Sequence, residues 1–410
     1  MKIIHLQLFE QASDLLFRCQ LYLEKDESFW LSDQLTLHRI VSQDQEIAFE
    51  AGPSEPMLFR SAARKITPQI VQAGEIVIEY QGQPVGWGNV NRSDLLALNV
   101  YSVYYPQPKT LSLIPFLLTY RGRPGQVMLE GQWDEAQKAW FSSGLAGDSG
   151  NVVIYKPESK LTQENAAVQF IYFNPDETEI ISRMVEEVEQ ILMEYQTAYG
   201  ARKLPQRKMI SLDIPDYQNA GAFQRGEWTF YTRILPEDCS QIQEHADRMI
   251  GLMAHELGHL WFTGADVSSW EDWLNETGAE WACLRYLMKH GPTWLLKQKL
   301  NMLVSTCAPL RPIRTPEGKN DAKSIHQKGT ALFLKLAFDH GMTVVDQILS
   351  LLANLTVKST AALLEAIRRE LSPELAAAIE KFLDQADFGL HGEDPILKKW
   401  IEAVSQASAE

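Results

Sequence analysis

Two histidines, His255 and His259, stand four residues apart in the run His255-Glu256-Leu257-Gly258-His259. On a helix, residues i and i+4 lie one turn apart on the same face, so both imidazoles can reach one cation. Neutral imidazole suits Zn²⁺. Glu256 is rotated by about 100° from His255, close enough to reach a water at the metal without taking a ligand position. The flanking residues read as that helix, over 240–263. Its apolar stripe is Ile242, Met249, Ile250, Met253, Leu257 and Leu260. Pro236, Asp238 and Ser240 mark its start, Ser240 and Gln243 have capping-box spacing, and Gly264 can end it.

A third ligand is needed, and Trp273-Leu274-Asn275-Glu276 supplies a candidate, with Glu276 seventeen residues past His259. It opens a second helix that runs to His290 and Gly291. A His₂Glu set leaves a fourth position open for water, as in catalytic rather than structural zinc. Glu276 and Glu280 are i and i+4 and share a face. Glu280 can accept the distal N–H of a ligating histidine and fix its tautomer; Asn275 is a further candidate for supporting the ligands.

The elements that hold these residues form a mixed chain. Up to about residue 160 the sequence alternates or runs in Val, Ile, Leu, Tyr and Phe, at 13–24, 28–41, 75–80 and 95–105, between turn clusters such as Gly82-Gln83-Pro84 and Gly147-Asp148-Ser149-Gly150. That pattern predicts a β-sandwich-like domain. From Pro175 the period becomes helical, with Ile180, Ile181, Met184, Val185, Val188, Ile191, Leu192 and Tyr195 on one face and Gly200 beyond it. Strand-like stretches at 208–214 and 228–235 follow, and helices are expected at 271–290, 293–304, 325–340, 343–355, 359–371 and 373–385. The expected class is α+β and multidomain: a β-rich domain over 1–160, a catalytic domain with a small sheet and a helical lobe over 161–392, and a tail over 393–410.

Composition narrows the partners. The 410 residues carry 38 basic and 53 acidic side chains, a net charge of −15, which argues against nucleic acid because a phosphate-tracking surface is basic. No window approaches the ~20 apolar residues of a membrane span, and the N-terminus does not read as a signal peptide. Cys19, Cys239, Cys283 and Cys307 show no metal or disulfide spacing. Cys19, on the apolar parity of its strand, reads as a small buried hydrophobe. A reduced, cytoplasmic protein is the expectation, and oligomeric state is left open.

The run HELGH followed by Leu-Trp-Phe, then Trp-Leu-Asn-Glu, resembles the aminopeptidase-N family of zinc peptidases, gluzincins with a thermolysin-like catalytic domain. Tyr199-Gly200-Ala201-Arg202-Lys203-Leu204-Pro205 leading into 208–215 looks like the family's approach to its substrate strand. Leu310-Arg311-Pro312-Ile313 and His326-Gln327-Lys328-Gly329-Thr330-Ala331 look like a later helix with its Lys-Gly pair. The resemblance implies one zinc ion on His255, His259 and Glu276, Glu256 as general base, and a peptide substrate.

Three departures stand out. The spacing from His259 to Glu276 is two residues shorter than usual for the family. Gly221-Ala222-Phe223-Gln224 matches the family's amine-binding edge strand, but Gln224 replaces its glutamate and lacks charge assistance. The family's tyrosine that steadies the tetrahedral intermediate aligns with His326, which can donate a hydrogen bond to an oxyanion. The large helical domain of long family members is expected to be missing, which should leave a more open cleft, suited to longer peptides or internal cuts, unless a partner subunit covers it. The expected activity is peptide-bond hydrolysis with exo or endo preference open. The alternatives are a zinc-retaining inactive scaffold and hydrolysis of an ester or epoxide.

Overall fold

The computed structural model describes residues 2–10, 14–56, 62–84, 86–108, 114–214, 221–235, 241–267, 269–307, 310–315, 324–387 and 389–406, without the side chains of 148, 149, 306 and 307. Pro215, Cys239 and the expected helix start at Pro236, Asp238 and Ser240 lie outside the described residues. Two compact units emerge: Met1–Thr162 with Phe170–Asp176 and Lys208–Pro236, and Gln163–Gln169 with Glu177–Arg207 and Glu237–Glu410.

The first unit is built on an eight-stranded sheet. At its centre Leu15–Leu23 pairs antiparallel with Ile4–Glu10 and with Gly74–Gly82. Its side chains alternate between faces, so Leu15, Phe17, Cys19, Leu21 and Leu23 are all buried. Phe17 stacks on Tyr80 with ring centroids 4.9 Å apart, and Cys19 is the apolar filler its parity predicts. Two four-stranded sheets and a single helical turn, α1 (Ala146–Ser149), complete this part. Two expected strands are shorter than their patterns. The run at 28–41 is cut by a turn at Asp33-Gln34. The run at 95–105 stops at Leu98, because the Asn99 side chain accepts the Tyr101 N–H and starts a 3₁₀ turn over Val100–Ser102.

A five-stranded sheet follows, in the order Leu161–Glu164, Val168–Tyr172, Arg207–Ser211, Trp228–Tyr231, Ala222–Arg225. The first unit takes in Phe170–Asp176 and Lys208–Pro236 besides Met1–Thr162, and the core explains why. Ile210, Leu212, Phe223 and Phe230 from this sheet share one apolar cluster with Leu95, Val153 and Tyr155 of the preceding strands.

The second unit is helical: α2 (Thr178–Tyr199), α3 (Ile242–Gly258), α4 (Trp273–His290), α5 (Thr293–Cys307), α6 (Gly329–His340), α7 (Met342–Asn354), α8 (Thr360–Glu370), α9 (Pro373–Leu383) and α10 (Pro395–Gln406). Helix α2 buries the eight apolar side chains its period marks, and Tyr199 with them. Tyr195 donates its hydroxyl to the Ala254 carbonyl at 2.9 Å, pinning α2 to α3. Ile242, placed on the α3 stripe by its spacing, is instead 40% exposed at the first turn. Trp261, Trp273 and Trp281 are fully buried core residues. The segment expected as a tail carries α10, whose Leu397 and Ile401 are buried and which packs against α5. No described helix is long and apolar enough to cross a membrane.

Candidate metal centre

Helices α3 and α4 build the centre by close approach. A Cβ on Gly258 would stand 2.9 Å from the Ala279 Cα, so glycine lets the two backbones meet where the histidines and Glu276 project. The regular helix ends at Gly258, but His259 keeps helical angles (φ −61°, ψ −15°) as its cap. The i, i+4 relation is therefore intact, and the two imidazoles lie 4.9 Å apart with planes at 90°.

Glu276 Oε2 is the hub. It lies 3.4 Å from His255 Nε2 and 3.5 Å from His259 Nε2. Ligand atoms about 2.0–2.2 Å from one tetrahedral ion stand about 3.3–3.6 Å from one another, so these separations are those of a shared cation. Glu276 Oε2 is buried without a hydrogen-bond partner among the described residues, a costly state for a carboxylate oxygen unless a cation satisfies it. The donor set of two imidazoles and a carboxylate fits zinc, and the three side chains form one cluster able to hold a metal ion.

Further contacts fix the imidazoles. His259 Nδ1 is 3.2 Å from the Phe262 carbonyl, a contact in which Nδ1–H donates and Nε2 is left facing Glu276. His255 Nδ1 is 3.5 Å from Glu280 Oε1, on the side away from Glu276. Asn275 does not touch the histidines in its hydrogen bonds. It donates to the Ala265 carbonyl and Asp272 Oδ1 and accepts the Ala265 N–H, tying the loop after α3 to the start of α4. Glu256 is buried beside His255 on α3, with 4% of its surface exposed.

The charges are strongly coupled. Burial opposes a protonated His255, but Glu280, then Glu276 and Glu256, push its imidazole up to about 9. Burial likewise opposes ionisation of Glu276, yet His326, His259 and His255 hold its carboxyl well below the usual range. Burial and the neighbouring Glu276 push Asp272 up to about 6.

His326 reaches the same carboxylates from another element. Residues Ser324–Lys328 form a π-turn ahead of α6, a distortion of the kind found at functional sites. It is pinned on several sides. Thr277 Oγ1 donates to the Ile325 carbonyl at 3.3 Å, and a Cβ on Gly329 would overlap that hydroxyl. Lys328 Nζ donates to the Leu310 and Ala386 carbonyls. His326 Nδ1 thereby lies 3.3 Å from Glu276 Oε2 and 3.9 Å from Glu280 Oε1, with about a third of its side chain exposed.

One charged residue was not anticipated. Lys299 Nζ on α5 lies 3.8 Å from Glu280 Oε2. Its sequence signal is a lysine inside an apolar helical stripe, Leu295, Leu296, Lys299, Leu300 and Leu303.

In the first unit, Ala222–Arg225 lies at the edge of its sheet and pairs antiparallel with Trp228–Tyr231. Phe223 points inward, stacked on Phe230 at 5.0 Å and against Trp87 at 5.1 Å. Gly221 takes a hydrogen bond from Thr232 at its carbonyl and donates its N–H to the Thr232 hydroxyl. Gln224 and Ala222 are half-buried.

Residues 183–366 match the peptidase family M1 domain. Human aminopeptidase N is 29% identical over 171 residues, which are 39% of this chain and 17% of that enzyme. Mouse aminopeptidase N is 30% identical over 169 residues, again 17% of the relative's length. The match thus spans under a fifth of these relatives. The fold is similar to leukotriene A4 hydrolase from Saccharomyces cerevisiae, with a TM-score of 0.60, 14% identity, and coverage of 93% of this chain and 67% of that one. It is also similar to an M1 zinc metallopeptidase from Deinococcus radiodurans bound to a Tyr-Ser-Ala substrate, with a TM-score of 0.59, 15% identity, and coverage of 96% and 95%. The matched domain over residues 183–366, the likeness of that region to aminopeptidase N and the shared fold make this chain similar to the aminopeptidase-N family of zinc metallopeptidases.

Proposed function

We propose that the chain is a zinc-dependent peptide-bond hydrolase that holds one ion on His255, His259 and Glu276. The observation that carries this reading is the orphaned Glu276 Oε2, buried 3.4 Å and 3.5 Å from the two imidazole nitrogens. Zinc, when bound, polarises a carbonyl and makes water more acidic near neutral pH.

The chain's own residues supply the rest. Glu256, next to His255 and shielded from solvent, takes the proton of the attacking water and delivers it to the leaving amine. Glu280 accepts the Nδ1–H of His255, so that Nε2 is unprotonated toward Glu276. His326 donates to the oxygen that gains charge as the carbonyl becomes tetrahedral, the kind of interaction worth about 3 kcal/mol. Asn275 holds the loop after α3 in place. The strand at Gly221, Ala222, Phe223 and Gln224 offers its edge to an extended peptide. Gln224 can accept a hydrogen bond from a substrate amine but gives it no charge, so we infer that binding depends less on a free amino terminus than a glutamate would demand. We infer a catalytic domain over 161–392, within which residues 183–366 match the peptidase domain, and a cytoplasmic site of action.

The test is a mixture of peptides incubated with the protein and read by mass spectrometry, with the zinc content measured alongside. Removal of residues from amino termini identifies an aminopeptidase, and internal cuts an endopeptidase. No cleavage by the zinc-loaded protein, or equal cleavage by the Glu256→Gln variant, overturns the reading.

A further inference from the structure

The imidazole of His255 presents two nitrogens, and the site described above uses one of them. Nε2 faces Glu276 Oε2 at 3.4 Å, and His259 completes that side. Nδ1 faces Glu280 Oε1 at 3.5 Å on the other side, and His326 Nδ1 approaches the same oxygen at 3.9 Å. The pattern is repeated about one shared ring, with one carboxylate and one further imidazole on each side. Ligand atoms of His255, Glu280 and His326 all lie within 4.8 Å of one another, as do those of His255, His259 and Glu276.

A second observation marks the Nδ1 side as incomplete. His255 Nδ1 is buried without a hydrogen-bond partner among the described residues, on a side chain only 9% exposed. Buried polar atoms are normally paired, and the 3.5 Å to Glu280 is beyond the roughly 3.2 Å of ordinary N–H···O bonds. Two ligands of one zinc-like ion stand about 3.3–3.6 Å apart, so the gap suits a shared cation. The 3.9 Å from His326 asks for a wider angle at the ion, or a small inward shift of a side chain that is a third exposed. Glu276 Oε2 is nearer to His326 Nδ1, at 3.3 Å. That oxygen belongs to the first set of ligands, which leaves Glu280 to His326.

The surrounding charge makes the two positions unequal. Glu276 and Glu280 provide one carboxylate for each, and the ring of His255 keeps them apart. Lys299 Nζ lies 3.8 Å from Glu280 Oε2, the oxygen turned away from His255. A cation on the Glu280 side therefore binds next to a positive charge and is the weaker of the two.

We propose that the chain binds a second divalent cation of zinc-like chemistry on His255 Nδ1, Glu280 and His326, and that its binding blocks hydrolysis. With one ion bound, Nδ1 carries a proton toward Glu280; the second ion takes the place of that proton, which passes to solvent. His326, held as a ligand, no longer donates to the oxygen that gains charge. This rests on the zinc reading above and adds to it control by metal concentration.

The full chain, stripped of metal, is dialysed to equilibrium against Zn²⁺ over a range of free concentrations. Bound zinc is counted by atomic emission, and peptide hydrolysis is followed in the same samples. Two equivalents are expected, the second at least about tenfold weaker, with activity falling as the second binds. His326→Phe and Glu280→Gln are each expected to lose the second equivalent and keep the first. The residual hydrolysis of His326→Phe should not respond to zinc beyond one equivalent. Far-UV circular dichroism reports folding, and should one variant fail to fold the other carries the comparison. A single equivalent in the unaltered chain overturns the proposal and leaves the zinc reading standing. A second equivalent that survives in both variants is an adventitious ion only and overturns it as well. An unaltered chain that binds no zinc overturns the zinc reading itself.

Discussion

Helices α3 and α4 carry the proposed chemistry, and the strand Ala222–Arg225 carries the proposed recognition of substrate; they are built in different ways. In the helices several polar side chains are placed by contacts from other residues. His259 lies against the Phe262 carbonyl, His255 faces Glu280 at 3.5 Å, and Asn275 ties the α4 start to Ala265. Gly258 against Ala279 leaves no room for drift. In the strand the groups that would meet a peptide are main-chain N–H and C=O at a sheet edge, and the inward Phe223 in its aromatic cluster holds the backbone. One side chain of the strand, Gln224, is the group proposed to add specificity. A site of the first kind tolerates almost no change of residue type. A strand of the second kind can change what it recognises through one side chain and keep its fold.

The largest effect should come from the helices. Glu256→Gln keeps size and burial but removes the base, so turnover should fall by at least about 10³-fold with zinc content unchanged. A variant that hydrolyses peptides at the original rate would show that the helical site is not where the reaction occurs. His326→Phe comes next. It should lower kcat by about 10²-fold while KM moves little, since the hydrogen bond is made only as charge develops on the oxygen. An equal rise in KM with kcat untouched would make His326 a ground-state contact and move it into the class of the strand.

How much of this could be read in the sequence follows the same division. The approach of His255 to His259 was legible because helical geometry alone brings i and i+4 together, and Glu280 shares a face with Glu276 by the same rule. Cys19 and the buried face of α2 were legible from parity and period. What sequence could not show is what separate elements do to one another. Lys299 meets Glu280 only because α5 packs beside α4. The π-turn that presents His326 depends on Thr277, Leu310 and Ala386, which are distant in the chain. Nor could sequence show that a later sheet shares an apolar cluster with strands before residue 160. A strand pattern records that a face will be covered and not by which neighbour.

The strand should respond to a smaller change. Gln224→Glu adds a charge where a substrate amine is proposed to bind. A charge-assisted hydrogen bond should then improve kcat/KM for peptides with free amino termini by about tenfold over their N-acetylated forms, measured in parallel. An unchanged ratio would remove the strand from substrate recognition and leave specificity to other surfaces. The effect should vanish in the Glu256→Gln background, because recognition without the base yields no product.

The smallest expected effect lies away from both regions and checks that losses at the centre are not general weakening. Lys358 and Arg202 share the carboxyl end of α7: Lys358 Nζ donates to the Leu352 and Ala353 carbonyls, and Arg202 to Ala353 as well. Burial, and then the charge of Arg202, push Lys358 down to about 8 from its ordinary 10.5. Between those two values the unfolded chain binds more protons than the folded one, so stability rises with pH through that window and is flat below it. Lys358 is half-exposed, and solvent screening reduces the gain to a small part of what the full shift would give. Between pH 8 and pH 10 the melting temperature of the unaltered chain should rise by about 1–2 °C relative to Lys358→Met. Zinc affinity should be the same in both proteins. Parallel melting curves would show that the carbonyls of α7 hold the lysine charged, as helix ends favour, and that this end of the helix is as well compensated as the metal centre.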